Sequence, residues 1–222
     1  MLYKPKLPKT WNSDLAYFSG LILGDGSLPK ATSRRPNGKV QIRYLIHFFC
    51  SSLEFLKKVY IPLFFRLFKL KPRLVSIKNK KNALYNCTIE SKELYLYLEK
   101  KGLTTGRKAK IADVPNLPKR LNIYLLAGLL DTDGGKKGSG FGLSTASEKL
   151  AQFCINLFKD LKFSYHSCPW FYKNHTYHQI YVHKKDFSKI LKKIPLKNKE
   201  KLDFIYLYAS VAQPGRAQVK TA

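Results

Sequence analysis

Two aspartates close two similar stretches of this 222-residue chain. Asp25 ends Tyr17-Phe18-Ser19-Gly20-Leu21-Ile22-Leu23-Gly24-Asp25-Gly26, and Asp133 ends Leu125-Leu126-Ala127-Gly128-Leu129-Leu130-Asp131-Thr132-Asp133-Gly134. Gly20 matches Gly128, Leu21 matches Leu129, Asp25 matches Asp133 and Gly26 matches Gly134, at a constant offset of 108 residues. A repeat at half the chain length implies two similar halves rather than a many-unit solenoid. A carboxylate at a helix C-terminus faces the negative end of the helix dipole, at a cost of roughly 0.3–1 kcal/mol. Two such carboxylates side by side also repel each other. A divalent cation between them removes both penalties, and oxygen-only ligation with open positions suits Mg²⁺ or Mn²⁺ rather than zinc. One Asp-Gly alone reads as a helix-stop turn; two in the same context point to chemistry.

The elements that must position these acids are helices. Asp14 or Ser13 is expected to cap the first by accepting a backbone N–H. Gly26 and Gly134 are expected in the left-handed position past each helix end. Gly20 and Gly24 lie four apart and share a face, and Gly128 with Thr132 gives the second copy the same small face. Two helices packed along these faces bring their acidic ends together.

The paired stretches resemble the signature helices of LAGLIDADG homing endonucleases in their single-chain form. Leu126-Ala-Gly-Leu-Leu-Asp-Thr-Asp-Gly134 is close to the consensus; the first copy is looser, with Ser19 for alanine and Leu23-Gly24 where Asp-Ala is usual. The resemblance extends over roughly residues 12 to 205. It implies that Asp25 and Asp133, assisted by the carbonyls of Gly24 and Thr132, hold Mg²⁺ (with Mn²⁺ able to substitute). The basic stretch Gly106-Arg107-Lys108-Ala109-Lys110 ahead of the second helix also resembles the family, and implies an active-site lysine at Lys108. Lys136, three past the second acid, is placed as in some single-chain relatives. Lys199, in a similar basic stretch, is the symmetric candidate. Such cations would polarise a nucleophilic water or stabilise charge on a phosphate.

Composition narrows the partners. Lys and Arg total 41 against 14 Asp and Glu, a net charge of +27. That excess strains a compact fold unless a polyanion offsets it, and nucleic acid is the natural one. The hydrophobic content of 45% is that of a globular chain with a sizeable core. No run of about 18 apolar residues suggests a membrane span, and the N-terminus lacks the apolar region of a signal peptide. The expected location is therefore intracellular. Cys50, Cys87, Cys154 and Cys168 have no CxxC spacing, which argues against zinc and against a redox pair. His175, His178 and His183 alternate in facing around a turn, so they read as strand residues rather than a metal site.

The rest of the chain supplies candidate nucleic-acid contacts. A basic, turn-rich loop from Pro29 to Lys39 holds Lys30, Arg34, Arg35 and Lys39. It leads into a strand over Val40–Phe48 whose alternation puts Gln41, Arg43 and His47 on one face, suited to base edges. A helix then runs from Ser51 or Ser52 to Phe68, with Pro62 expected to bend it. Strands near Arg73–Lys78 and Leu84–Ile89 would carry Lys78, Lys80 and Lys81 at their hairpin tip. In the second half Lys137 follows the acid, a helix spans about Ser147 to Leu161, and a strand over Thr176–His183 aligns Tyr177, Gln179, Tyr181 and His183.

The expected fold is α+β, with two pseudo-symmetric αββαββα halves, the signature helices at their interface and antiparallel sheets forming a saddle. The expected divisions are an N-terminal half over 12–112, a linker over 113–122, a C-terminal half over 123–205 and a disordered tail over 206–222. By resemblance, the function is metal-dependent, site-specific cleavage of double-stranded DNA at a long pseudo-palindromic target by a monomer. A group I intron maturase, which binds intron RNA without cutting, is the second reading; the same basic fold suits RNA, but retention of both acids favours the nuclease.

Overall fold

The computed structural model describes residues 4–34, 37–77, 83–106, 111–172 and 175–211. The first signature helix, α1 (Ser13–Gly24), starts at Asn12, whose side chain accepts the Leu15 amide at 2.8 Å. Neither Asp14 nor Ser13 is the cap. Asp14 is drawn instead to Arg66 at 2.6 Å, and that guanidinium holds its carboxyl below the usual range. Helix α1 is buried on every side from Leu15 to Leu23, and its counterpart α5 (Asn122–Asp133) is buried from Leu125 to Asp131. Helices apolar all round belong in an interior, and these two form it.

Their crossing depends on two glycines. A Cβ on Gly20 would stand 2.2 Å from the Leu125 carbonyl oxygen, and one on Gly128 would stand 2.2 Å from the Tyr17 carbonyl oxygen. The contact is reciprocal, as a pseudo-twofold axis requires. Gly26 and Gly134 are glycine for a different reason than the left-handed turn expected of them. Neither has a positive φ, and Gly134 sits at φ −67°, ψ 147°. Each folds back on its own helix, so that a Cβ would meet the Ile22 Cα at 2.6 Å or the Leu130 oxygen at 2.1 Å.

After α1 come β1 (Gly26–Ser27), β2 (Lys30–Arg34) and β3 (Val40–Cys50). Residues 30–34, expected in a loop, form a strand antiparallel to β3, with Lys30 opposite Tyr44 and Arg34 opposite Val40. Ser52 caps α2 (Leu53–Phe55), which passes through a π-helical stretch, Leu56–Tyr60, into α3 (Ile61–Phe68). Pro62 lacks an N–H and would crowd the carbonyl four residues back in an α-ladder. The wider turn just before it, where the Ile61 N–H reaches the Leu56 carbonyl, accommodates the ring. Then follow β4 (Arg73–Ile77), β5 (Leu84–Glu90) and α4 (Lys92–Lys100), the last capped by Ser91. The sheet order is β1-β3-β5-β4, with β2 also on β3. Its core is aromatic: Phe48 stacks on Tyr60 at 4.1 Å, and beside them Phe18, Phe64 and Phe68 pack edge to face on one another.

The second half repeats the plan with β6 (Gly135–Lys137), β7 (Gly140–Thr145), α6 (Glu148–Asp160), β8 (Tyr165–Tyr172), β9 (His175–His183) and α7 (Phe187–Lys193). The sheet order is β6-β7-β9-β8, antiparallel throughout. A further helix, α8 (Lys199–Val211), runs through residues 206–211, which composition alone assigns to a disordered tail. Packing keeps it helical: Ile205 is fully buried, and Phe204 touches the rings of Phe141, Phe187 and Tyr208. The fold is the expected α+β pair of halves with the signature helices between them.

Candidate active site

The two acids end the two central helices. Asp25 lies just past α1 at φ −89°, ψ 3°, and its carbonyl accepts the Phe49 amide of β3 at 3.1 Å, which fastens it between helix and sheet. Asp133 is the last residue of α5. The helices are so close here that a Cβ on Gly24 would stand 1.9 Å from Thr132 Oγ1 and 3.4 Å from Asp133 Oδ2. The Thr132 side chain of one half is thus what demands a glycine in the other, and the Asp133 carboxylate lies at ordinary contact distance beside it. The Thr132 hydroxyl is turned back onto the carbonyls of Gly128 and Leu129 at 3.1 and 3.0 Å. A cleft of about 250 Å³ opens beside them, lined by Gly24, Asp133, Ser144, Thr145 and Tyr177 among others.

Each acid also has a thiol within its field. Burial, with the Asp133 charge second, pushes Cys154 up to about 12. Burial likewise raises Cys50, and Asp25 adds to the effect. Both thiols stay protonated at neutral pH and so are poor metal ligands. Among the described residues no group of three or more His, Cys, Asp or Glu side chains gathers. The donor set at the helix ends is two carboxylates and nearby backbone carbonyls. That set fits a hard cation whose remaining positions go to water and phosphate oxygens, as Mg²⁺ prefers.

Strand register decides which other candidates share a surface with the acids. Directly opposed residues of an antiparallel pair point to the same side. Gln41, Arg43 and His47 alternate with buried Ile46 and Phe48, and so lie on the sheet face away from the helices. Arg43 pairs there with Glu90 at 2.7 Å. His47 Nδ1 contacts Thr88 Oγ1 at 2.6 Å and Asn86 Nδ2 at 3.2 Å, and burial lowers its pKa. Lys30 is on the opposite side. It lies over the rings of Tyr44 and Tyr95 and pairs with Glu99 at 3.5 Å, and Arg34 shares its parity. Lys39 is exposed in the turn before β3.

In the second half Tyr177, Gln179, Tyr181 and His183 share the outer face, and Lys137, opposite Gly140, joins them. Lys136 is exposed on the edge strand but lies opposite buried Phe141, with the other parity. Lys199 is not turned freely toward the acids: its ammonium pairs with Asp203 one turn along α8, and Glu54 also acts on it. Arg35, Lys78, Lys80, Lys81 and Lys108 lie outside the described residues.

One residue of the repeat acquires a role that the pattern alone did not suggest. Asp131 is only 2% exposed. It accepts the Tyr17 hydroxyl at 2.5 Å and the backbone amides of Lys197 and Asn198 at 2.7 and 3.1 Å. The Asn198 side chain closes the loop on the Asp131 carbonyl at 2.9 Å, and the Lys197 ammonium lies 4.2 Å over the Tyr17 ring. Burial raises the Asp131 pKa to about 6 against the lowering effect of these donors. Asp131 therefore ties together α1, α5 and the segment that starts α8. The signal in the sequence was the mismatch at this position, which is Leu23 in the first copy.

Two acid-tipped helices crossing at glycines, each leading into its own antiparallel sheet, define the LAGLIDADG homing endonuclease fold, and this chain has it. A mesophilic variant of the homing endonuclease I-DmoI matches with a TM-score of 0.61 at 19% identity, over 87% of this chain and 97% of that one. I-DmoI in complex with DNA and Ca matches at 0.63 and 18% identity over the same shares. The LAGLIDADG meganuclease I-AabMI, bound to uncleaved DNA, matches at 0.56 and 13% identity, over 91% of this chain and 90% of that one. No family model matches the chain, and no curated protein does.

Proposed function

We propose that this protein is a metal-dependent endonuclease that cuts both strands of double-stranded DNA at a long, imperfectly palindromic site. The observation that carries this is the apposition of two acid-ended helices, with the Asp133 carboxylate against Gly24 of the other half. A structural pair of carboxylates at two helix C-termini costs stability; a cleavage site gives it a purpose. The solved structures with this fold include I-DmoI with DNA and Mn, and I-LtrWI bound to target DNA. The net charge of +27 supports a polyanionic partner.

Asp25 and Asp133 hold the cations, with the Gly24 and Thr132 carbonyls completing the protein's share. A bound divalent ion supplies a water nucleophile at neutral pH and neutralises charge on the leaving oxygen. The protein's part is to keep the two carboxylates at a fixed separation, which the glycine crossing does. Lys108 is the proposed cation beside the scissile phosphates; Lys136 has the parity of buried Phe141 and is not assigned that role. Gln41, Arg43, His47, Tyr177, Gln179 and Tyr181 are proposed to face the duplex. Both acids sit on one chain, so a monomer suffices and the two strands need not be cut in identical sequence.

The test is selection of cut sites from a library of randomised duplexes in Mg²⁺, comparing wild type with Asp25→Asn and Asp133→Asn. Cutting by wild type, lost in either variant while duplex binding persists, supports the reading. Binding without cutting in Mg²⁺ or Mn²⁺ would sink it and leave the RNA-binding maturase.

A further inference from the structure

We propose that the outer face of the β8–β9 hairpin is a stacking platform for unpaired nucleobases. This rests on the reading of the chain as a nucleic-acid enzyme, but not on its cutting. Strand β7 pairs β9 only from His178 to His183, so the stretch that pairs Trp170 with Tyr177 and Tyr172 with His175 projects beyond the third strand. On its outer face Trp170 stacks on Tyr177 at 5.0 Å and 26°, and Tyr172 lies 5.9 Å from Trp170. Trp170 and Tyr172 remain 40% and 51% exposed. On the other face Phe171 is 77% exposed, so no core lies beneath the projection. Trp170, Phe171 and Tyr172 are thus three large rings of one short hairpin that stay substantially exposed.

The neighbouring rung shows what a packed aromatic looks like in the same sheet. Tyr181 lies down on β7, where a Cβ on Gly142 would come within 2.7 Å of its Cβ and one on Gly138 within 2.8 Å of its hydroxyl. The glycines accept that ring, whereas Trp170 and Tyr172 stand exposed on the same face. The first sheet is built differently, since its outer face presents mostly hydrogen-bonding groups, Gln41, Arg43, His47, Asn86 and Thr88, with the half-buried Phe49 ring beside His47. The second presents π faces. A chain of charge +27 attracts a polyanion, and the polyanion that also offers planar rings is a nucleic acid. A paired duplex hides base faces in its own stack, whereas an unpaired or extruded base exposes one.

The chain has two tryptophans, so Trp11→Phe leaves Trp170 as the single tryptophan, excited selectively over the tyrosines at the red edge. This protein is titrated with an oligothymidylate of about 16 nucleotides, with a duplex carrying one bulged thymine and with the same duplex fully paired. Salt is held near 0.3 M to suppress purely electrostatic binding. Expected are quenching of Trp170 by the single strand and the bulged duplex, and little by the paired one. Trp170→Leu and Tyr172→Ala should each weaken binding of the bulged duplex about 5- to 100-fold. Phe171→Ser, on the opposite face, should leave it unchanged. Absent quenching, or equal quenching by the paired duplex, overturns the proposal even if the variants fold poorly. Quenching without any cleavage by wild type would sink the nuclease and leave the platform standing; cleavage without quenching would do the reverse.

Discussion

Replacing Gly20 by alanine puts one methyl group where the backbone of the other central helix runs. That carbon would stand 2.2 Å from the Leu125 oxygen, 2.9 Å from the Leu129 nitrogen and 3.0 Å from the Gly128 Cα. Carbon–oxygen contacts close at roughly 3.3 Å, so α1 and α5 must part by about 1 Å. All three obstacles are backbone, so no side chain can rotate away. The cost belongs at the upper end of overpacking, about 3 kcal/mol, or a fall in Tm of roughly 6–12 °C for a chain of this size. The same displacement moves Asp25 relative to Asp133, and a misplacement of about 1 Å lowers a rate on the order of 100-fold. Calorimetry and single-turnover cleavage read the two effects, with Gly135→Ala, where a Cβ meets open space, as the control. If Gly20→Ala melted within about 2 °C of wild type and cut DNA normally, the helix crossing would not be what sets the separation of the acids.

Asp131 gives a pH signature. Its folded pKa, about 6, lies above the ordinary 3.8, so the folded state holds the proton more tightly than the unfolded one. Its contribution to stability is therefore full below about pH 4 and is lost as pH rises through 6, by about 3 kcal/mol in all. Asp131→Asn cannot titrate, so wild type should exceed it most in acid, and the gap should narrow by that amount between pH 4 and 7 in urea titrations. A gap that does not change with pH would refute the assignment. Tyr17→Phe removes a hydroxyl bonded to this buried carboxylate and should cost about 2 kcal/mol at pH 7; a Tm shift under about 2 °C would count against the network. DNA binding should weaken by roughly 10³-fold or more between 50 and 200 mM salt if six or more phosphates are contacted, and a flat salt dependence in filter binding would count against a phosphate-tracking surface.

The repeat at Gly20 and Gly128 made the central pair of helices legible, because a small residue at matching positions encodes a close approach that only another backbone can use. The Ser51–Ser52 pair and Ser147 likewise announced two helix starts, since a side-chain cap is a local signal. Features set by distant partners were not legible. The side on which Lys30 lies depends on β2 pairing with β3, which a turn-rich composition concealed. The role of Asp131 depends on Tyr17, 114 residues away, and on amides 66 and 67 residues away. Helix α8 owes its last turns to Phe204 and Ile205 meeting a core that its own sequence does not reveal.

The Asp131–Tyr17 pair also makes the two halves unequal partners. Across the pseudo-twofold axis its counterpart is Leu23 with Leu125, both buried and both apolar. Two copies of the first half would set Leu23 against Tyr17 and leave a phenol without its acceptor. Two copies of the second would set Asp131 against Leu125 and bury two carboxylates without that donor. Each half carries a lock whose key is on the other, so the chain encodes a heterotypic union. If it arose from a self-pairing ancestor, this exchange at one interface position is a change after which neither half could return to pairing with itself.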